Sequence, residues 1–219
     1  MIDQSVSKVE VKGFEARFYD VLMDLITFGK YKKFIYAALR NIKLKNNQKV
    51  IDFGCGTGRN ILILNKYALM NNFNVKFVGV DKGKIMLEKA KKKTEKFSNI
   101  EIIESDIREK IDVKEKFDIG MISFVLHGFV QKDRNRILTN FNKLIKRNGK
   151  LYIIDYNEIN VNKASFFTKF FYRKIECPLA EDFASRDLKK MLKKYKFKIV
   201  NEYFYFNNLI RVAEAIKQV

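Results

Sequence analysis

The sequence predicts an α/β fold in which helices cover both faces of a mostly parallel sheet and an antiparallel hairpin completes the chain. Three observations support this prediction. Short, continuously apolar runs alternate with segments that carry helical stripes, as is typical of parallel strands buried on both faces. A turn with three glycines follows the first run, where open α/β sheets bind ligands. The last two apolar runs are separated by Asn207-Asn208, which is a hairpin signal.

The central part of the chain is predicted to alternate between strands and helices. In order, these are strand Lys49–Phe53, helix Asn60–Met70, strand Val75–Val80, helix Lys84–Lys96, strands Ile100–Ile103 and Phe117–Phe124, helix Arg134–Lys146 and strand Lys150–Tyr156. A turn at Asn148-Gly149 is expected to precede the last of these strands. The hairpin consists of Phe197–Phe206 and Leu209–Ile216, so the last strand should run antiparallel to its neighbours.

Further helical stripes are predicted outside this core, at Phe14–Leu25, Tyr31–Leu39 and Lys163–Glu176. Gly29 is expected to end the first of them, and Cys177-Pro178 the third. Ser185 is a candidate cap for one more short helix near the C-terminus. No internal repeat or linker divides the chain, which indicates a single domain.

The composition favours a folded protein with a strong positive charge. Hydrophobic residues make up 47% of the 219 residues, enough to bury a core. The net charge of +19 fits nucleic acid, an anionic membrane or a merely lysine-rich composition, and the sequence leaves these open. No apolar run approaches the roughly 18 residues of a membrane span, and the N-terminus lacks a secretion signal pattern, so we expect a cytoplasmic protein. Cys55 and Cys177 have no metal-ligand spacing, and no metal is expected.

The glycine turn lies in the stretch Val50–Asn60, where an acid, Asp52, is followed by glycines at alternate positions. Glycine tolerates positive φ and lets the main chain approach a ligand closely. A dinucleotide fingerprint would need glycine or alanine where Arg59 stands, and a phosphate-binding loop would need lysine followed by serine or threonine. The glycine turn therefore matches neither phosphate-binding motif.

Two more acids follow the next two strands. Asp81 ends the second strand, where a carboxylate can accept hydrogen bonds from a ribose diol, and Asp106 follows the third. With Asp52, these acids suit a ligand that combines a nucleoside with a cationic end, and they would repel a pyrophosphate.

These segments resemble successive motifs of the class I S-adenosylmethionine-dependent methyltransferases: Val50–Asn60, Gly79-Val80-Asp81, Glu104-Ser105-Asp106-Ile107 and Phe117-Asp118-Ile119. The resemblance covers Lys49–Tyr156 and implies a Rossmann-like seven-stranded sheet with S-adenosyl-L-methionine as cofactor. It implies that the glycines pass under the amino acid end of the cofactor, that Asp81 holds the ribose, and that Asp106 with Ile107 meets the adenine. Ser123 and Phe124 would lie beside the transferred methyl group.

The complete set of cofactor-binding residues that we expect is Asp52, Gly54, Cys55, Gly56, Thr57, Gly58, Asn60, Asp81, Lys82, Asp106, Ile107 and Ser123. Within it, Cys55 is interpreted as a small residue that fits the turn and not as a reactive thiol. Asp118 is interpreted as a structural acid at a strand start.

Two residues are candidates for a catalytic base, which is needed only if the acceptor arrives protonated. His127, the single histidine, lies just past the fourth strand, and an ordinary imidazole titrates near neutrality. Tyr19 lies in the N-terminal segment that covers the cofactor in similar enzymes. A purely structural role is the alternative for each.

The sequence indicates the methyl acceptor less directly than it indicates the cofactor. Ser123-Phe124-Val125-Leu126 stands where amino-directed base methyltransferases carry an Asn/Asp-Pro-Pro-aromatic run, and Cys177-Pro178 reverses the Pro-Cys order of cytosine-C5 enzymes. The segment Phe14–Gly29 resembles quinone-biosynthesis and phospholipid N-methyltransferases. We therefore expect a quinone precursor or an ethanolamine phospholipid as acceptor. An RNA or protein methyltransferase, supported by the charge, and a non-catalytic cofactor-binding protein remain alternatives.

The resemblance also suggests a division of the domain into a helical lid (1–45), a cofactor-binding core (46–156), substrate-side helices (157–196) and the hairpin (197–219). The phenylalanines of Phe166–Phe171 are edged by basic side chains, which suits peripheral contact with an anionic membrane at its inner face. The alternative is that this helix buries its rings over the pocket. Nucleic acid is the less favoured partner.

Overall fold

The computed structural model describes residues 30–159 and 178–219. The strands of this part are β1 (Lys49–Phe53), β2 (Lys76–Asp81), β3 (Ile100–Glu104), β4 (Phe117–Ser123), β5 (Ile145–Tyr156), β6 (Phe197–Tyr205) and β7 (Ile210–Lys217). They form one seven-stranded sheet in the order β3-β2-β1-β4-β5-β7-β6. The first five strands pair in parallel, and β7 is antiparallel to both β5 and β6. The predicted fold is therefore confirmed, including the C-terminal hairpin.

The helices of the described part are α1 (Lys30–Leu39), α2 (Arg59–Met70), α3 (Lys84–Thr94), α4 (Gln131–Leu144), α5 (Pro178–Ala184) and α6 (Leu188–Lys193), with a 3₁₀ turn at Leu126–Gly128. Helices α2, α3 and α4 connect parallel strands, as the alternating sequence pattern predicted. Their apolar stripes are buried: in α4, for example, Ile137, Leu138 and Phe141 are fully enclosed.

The strand order reverses at β1, which pairs with β2 on one side and β4 on the other. The chain enters the sheet at β1, adds β2 and β3 outward, and then returns to the other side of β1. A crevice forms outside the carboxyl ends of strands at such a switch point. The glycine turn, which directly follows β1, therefore lies at the expected ligand position.

In the core, the sheet packs closely against helix α4. Phe53 at the end of β1 stacks on Phe141 of α4, with ring centroids 3.9 Å apart. A Cβ at Gly120 of β4 would lie 2.7 Å from the Ile145 side chain and 2.9 Å from Phe141. Only glycine fits there, because side chains in a dense core cannot yield by that much.

The predicted start and end of α4 and the predicted start of β5 are wrong. The helix begins at Gln131 and ends at Leu144, so Arg134 is inside it and not at its start. Strand β5 begins at Ile145, and Asn148-Gly149 lies inside it and not before it. The expected turn survives as a local irregularity: Asn148 has φ of 59°, and the pairing with β4 shifts register between Phe117 and Ile119.

The segment before the hairpin also differs from the prediction. Helix α5 covers Pro178–Ala184 of the described part. Ser185 does not cap a helix; its hydroxyl donates to the Asp182 carbonyl at 2.8 Å. Asp187 is the cap of α6, since its side chain accepts from the Lys190 N–H.

The predictions for Phe14–Gly29, Tyr19, Lys163–Glu176 and Cys177 fall outside the described residues. Within 30–159 and 178–219, no helix is both long and apolar enough to span a membrane.

Candidate functional site

The glycine turn is held in a left-handed conformation at each of its glycines. Gly54, Gly56 and Gly58 have φ of 72°, 53° and 74°, values that residues with a side chain rarely adopt. The turn is tied to β2, because the N–H groups of Gly54 and Cys55 both donate to the Val80 carbonyl. Gly58 then starts α2 as its N-terminal cap. The backbone of the turn is thus fixed against the neighbouring strand.

The glycines differ in what surrounds them. A Cβ at Gly54 would lie 2.7 Å from the Val125 side chain, so Gly54 is required by packing against the segment after β4. A Cβ at Gly56 would meet no atom of the described residues within 4 Å. Gly56 therefore borders open space, and its bare backbone forms a concave surface that a ligand can approach.

Asp52 is a buried acid whose charge the described residues leave uncompensated. Its side chain is 1% exposed, and neither carboxylate oxygen has a hydrogen-bond partner among the described residues. Burial raises the pKa of Asp52 well above its usual range, and the nearby Asp81 carboxylate raises it further. A buried carboxylate in this position favours a cation or hydrogen-bond donor as its partner.

Asp81 joins the glycine turn to the start of α3. One carboxylate oxygen accepts from the Gly56 N–H at 2.8 Å, and the other accepts from the Gly83 N–H at 2.9 Å. Each oxygen has a second lone pair, so both can still accept from a ligand hydroxyl. Asp81 thus holds Gly56 in position and keeps acceptor capacity for a further hydrogen bond.

Asp106 is occupied by an arginine that the sequence analysis did not single out. Arg108 binds both oxygens of Asp106 through Nε and Nη2, and its Nη1 lies 3.2 Å from Asp133 of α4. Lys82 adds a longer contact of 3.7 Å to the same carboxylate. The hydrogen bonds from Arg108 lower the pKa of Asp106 to about 2. The Asp106 carboxylate is therefore already engaged by Arg108, and its expected contact with adenine stays a prediction.

The other expected cofactor residues lie in the turn, at the start of α2, after β3 and at the end of β4. Cys55 is buried, and burial together with the Asp52 and Asp81 carboxylates raises the pKa of its thiol, which agrees with its interpretation as an unreactive small residue. Thr57 is buried, and Asn60 is half-buried in the first turn of α2. Ile107 is buried, with its carbonyl accepting from Asn140. Ser123 ends β4.

The segment after β4 begins with an unusual backbone conformation. Phe124 has φ of 53°, which is uncommon for a residue with a side chain and is found where surrounding structure enforces it. Its N–H donates to the Ile154 carbonyl of β5 at 2.8 Å, and its ring packs edge-on against Phe34 and Tyr156. This conformation turns the chain into the 3₁₀ turn that carries His127.

His127 is oriented by a buried acid at the end of β5. Its Nδ1 lies 2.7 Å from Asp155 Oδ1, and its main-chain N–H donates to Asp155 Oδ2 at 3.1 Å. Asp155 is 2% exposed, while the His127 side chain is 14% exposed. Asp155 was not among the predicted site residues, although it stands at the carboxyl end of a predicted strand. With the Nδ1 proton donated to Asp155, the neutral ring carries its lone pair at Nε2.

Arg134 of α4 fixes the main chain around His127. It is fully buried, and its guanidinium donates to the carbonyls of Leu126, His127 and Leu179. The same group pairs with Asp182 of α5 at 2.5 Å. Arg134 therefore links the 3₁₀ turn to α5, a role that depends on long-range contacts and that a local sequence pattern does not indicate.

This arrangement fits S-adenosyl-L-methionine. The backbone at Gly56 leaves the space that a cofactor needs, and the carboxylate of Asp52 suits its cationic amino acid end. Asp81 can accept from ribose hydroxyls. Asp52, Gly56 and Asp81 would therefore hold the cofactor, and the described residues contain no cluster of metal-ligating side chains.

The comparisons with known proteins agree with this fold. A family model described as a methyltransferase domain matches residues 44–203. The ubiquinone/menaquinone biosynthesis C-methyltransferase of Campylobacter jejuni is 30% identical over 146 residues, which are 64% of this chain and 59% of that enzyme. The demethylmenaquinone methyltransferase of Thermotoga maritima is 27% identical over 77% of this chain and 70% of its own length. The carboxy-S-adenosyl-L-methionine synthase of Desulfotalea psychrophila is 24% identical over 94% of this chain and 93% of its own length.

Solved structures show the same fold. A SAM-dependent methyltransferase from Aquifex aeolicus superposes with a TM-score of 0.63 at 19% identity, covering 84% of this chain and 89% of that one. The CcbJ methyltransferase from Streptomyces caelestis gives a TM-score of 0.63 at 15% identity, covering 84% and 89%. The chain therefore belongs to the methyltransferase domain family, in the class I fold whose members use S-adenosyl-L-methionine as cofactor.

Proposed function

We propose that the protein transfers a methyl group from S-adenosyl-L-methionine to a small aromatic acceptor of the quinone-precursor kind. The observation that carries this proposal is the His127–Asp155 pair, which lies beside a row of aromatic rings at the carboxyl edge of the sheet. The quinone methyltransferases among the relatives support it. Because the chain spans 59% of the length of the Campylobacter enzyme, the acceptor is inferred from the site and not from that relative.

The aromatic row consists of side chains from α1 and from three strand ends. Phe34 of α1 packs against Phe124, Tyr205 and Phe206, with centroids 5.1 to 5.9 Å apart. Phe124 continues the row to Tyr156 at 6.2 Å, and Tyr156 to His127 at 4.9 Å. Edge-to-face surfaces of this kind suit a planar, apolar ring.

The chemistry required of the protein is modest. S-Adenosyl-L-methionine supplies a methyl group that its sulfonium already activates, so the protein has to align the acceptor and remove a proton. A hydroxylated ring becomes nucleophilic when its O–H proton leaves. His127 would accept that proton at Nε2, and the Asp155 carboxylate would stabilise the resulting imidazolium through Nδ1–H. Arg134 keeps the His127 main chain in place during this step.

We also propose the cofactor roles expected from the sequence for Asp52, Gly56 and Asp81, and the division into lid, core, substrate-side helices and hairpin. Tyr19 lies outside the described residues and stays a second candidate base. Cytoplasmic location likewise stays a prediction.

The proposal can be tested by incubating the purified protein with methyl-labelled S-adenosyl-L-methionine and cell extract, then separating lipid, RNA and protein fractions. Label in the quinone portion of the lipid fraction is expected. Label in phosphatidylethanolamine derivatives would replace the acceptor, and label confined to RNA or protein would overturn the proposal. Formation of carboxy-S-adenosyl-L-methionine without methyl transfer would instead align the chain with the synthase among its relatives.

A second measurement separates catalysis from cofactor binding. His127→Asn should lower turnover of a hydroxyquinone acceptor about 100-fold or more, a typical contribution of a general base, with unchanged cofactor affinity by calorimetry. Full turnover by this variant would remove His127 from the mechanism. Tight cofactor binding without turnover of any fraction by the natural protein would indicate a binding protein without catalysis.

A further inference from the structure

A groove runs along the helical layer formed by α1, α2 and α3, outside the candidate active site. One section is lined by residues of α1, α2 and the end of α3, and a second continues toward the C-terminal end of α2. The two sections share Leu62 and Lys93, so they form one continuous depression. Arg59, the residue after the glycine turn, lies at one end of it.

The charge on this groove has one sign. The charged residues that line it are all basic: Lys32, Arg59, Lys66, Lys93 and Lys96. No carboxylate of the described residues lines either section. The groove therefore presents a local positive field that favours an anionic partner.

The lining between these cations is apolar. Ile35, Leu62 and Phe97 contribute to it, and Leu69 lines the groove while 55% exposed. Met70 follows at the end of α2 and is 74% exposed. Two adjacent aliphatic side chains left this open to solvent indicate a surface that meets an apolar environment.

We infer that this groove and the end of α2 form a docking surface for an anionic lipid bilayer. Lysines can pair with lipid phosphates while keeping their stems along an apolar surface, and Leu69 and Met70 can enter the acyl boundary. A nucleic acid could use the cations and stack bases on Tyr36 and Phe97, but it would leave Leu69 and Met70 exposed to water. The favoured occupant is therefore a membrane and not RNA.

This surface differs from the one expected at Phe166–Phe171, and the inference stands whether or not the acceptor proposal holds. Its consequence for the site follows from Arg59, which belongs both to the groove and to the helix that the glycine turn begins. A bilayer seated on the groove would lie next to the cofactor side of the protein, where a lipid-soluble acceptor is available.

The test uses the full chain and vesicles of phosphatidylcholine, with or without 30% phosphatidylglycerol, in a flotation assay at about 0.1 M salt. The charge variant carries Lys32→Gln, Lys66→Gln and Lys96→Gln. Its matched control carries Lys110→Gln, Lys114→Gln and Lys189→Gln, which remove the same charge from exposed positions outside the groove. The apolar variant carries Leu69→Ser and Met70→Ser.

The natural protein should float with anionic vesicles and only weakly with neutral ones. A basic residue near an anionic surface contributes about fivefold to partitioning, so the charge variant should lose on the order of 100-fold. The control should lose less than about threefold, and the apolar variant at least tenfold. Circular dichroism should show all variants folded, because the substituted side chains are exposed.

Equal losses in the charge variant and its control would show that only net charge matters and would overturn the inference. Undiminished flotation of the apolar variant would do the same. Binding to an RNA homopolymer that depends on the groove lysines, without flotation on anionic vesicles, would assign the surface to nucleic acid instead.

Discussion

Asp155 holds both the ring and the main chain of His127, with one carboxylate oxygen 2.7 Å from Nδ1 and the other accepting the His127 N–H at 3.1 Å. Because one buried carboxylate binds both the ring and the main chain of His127, the orientation of the imidazole is restricted. The pair joins the end of β5 to the turn after β4, which are neighbouring strands. The geometry of the proposed base is thus set by the sheet itself.

Replacing Asp155 by Asn tests this relationship. The amide keeps the size of the side chain but removes the charge that stabilises an imidazolium, so turnover should fall about 10- to 100-fold with little change in KM. A loss in kcat with little change in KM is the result expected of a residue that positions the base. Steady-state kinetics of the natural protein and the variant would check both quantities.

Asp118→Asn is the matched control for this variant. Asp118 accepts from the Lys49 N–H at 2.8 Å and from Lys146 at 2.7 Å, which agrees with its interpretation as a structural acid at a strand start. Its replacement should lower stability without lowering kcat. A kcat that Asp155→Asn leaves unchanged would argue against His127 as the base.

Arg134 provides a prediction about stability. Its substitution by Met would remove the buried donor that the carbonyls of Leu126, His127 and Leu179 share. It would also remove the ion pair with Asp182. The expected loss in the free energy of unfolding is roughly 3 kcal/mol, measured by urea denaturation. Arg136→Met, on the same helix but 49% exposed with ion pairs of 3.7 Å, should cost less than about 1 kcal/mol. Similar losses for the two variants would contradict the role assigned to Arg134.

The parts of the site that the sequence predicted are those with local signals. Asp81 and the glycines could be placed because an apolar strand, an acid and a turn follow one another along the chain, and parallel strands bring their carboxyl ends to one edge. Arg108 and Asp155 were missed because their roles depend on which side chains the fold brings together. A sequence does not show that Arg108 turns back onto Asp106, nor that Arg134 is fully enclosed.

Asp52 allows a prediction that links stability to pH. Because its pKa is raised in the folded protein, the folded state binds a proton more readily than the unfolded chain, and stability falls as pH rises through the range between the two pKa values. Without cofactor, Asp52→Asn should therefore raise the melting temperature at pH 7, and this gain should shrink as the pH is lowered. The same variant should bind S-adenosyl-L-methionine at least tenfold more weakly.

Scanning calorimetry at several pH values and titration calorimetry with the cofactor would measure both effects. Asp112→Asn, at an exposed position, serves as the control and should change neither quantity. A melting temperature lowered by Asp52→Asn at pH 7 would show that the carboxylate has a stabilising partner.

Two of the three glycines before α2, Gly54 and Gly56, should respond differently to alanine. At Gly56 the new methyl group meets no described atom, so the cost is the left-handed backbone alone, about 1–2 kcal/mol, whereas cofactor affinity should fall strongly because the methyl fills the cradle. At Gly54 the methyl meets Val125 at 2.7 Å, so the stability loss should be larger by about 1–3 kcal/mol. Urea denaturation and cofactor titration separate the two. Normal cofactor binding by Gly56→Ala would show that the open space beside it is not the cofactor site.

Asp81 is expected to affect both cofactor binding and the position of the glycine turn. Asp81→Ala removes the acceptor for the proposed ribose hydroxyls and also releases the N–H groups of Gly56 and Gly83. Loss of two charge-assisted hydrogen bonds should weaken cofactor binding by about 2–5 kcal/mol. Asp81→Asn keeps one acceptor oxygen, so it should lose roughly half as much. Comparing adenosine with 2′,3′-dideoxyadenosine isolates the ribose contribution: the natural protein should prefer adenosine, and Asp81→Ala should bind the two alike. A preference that survives in Asp81→Ala would place the ribose elsewhere, and Asp81 would then act only by holding Gly56.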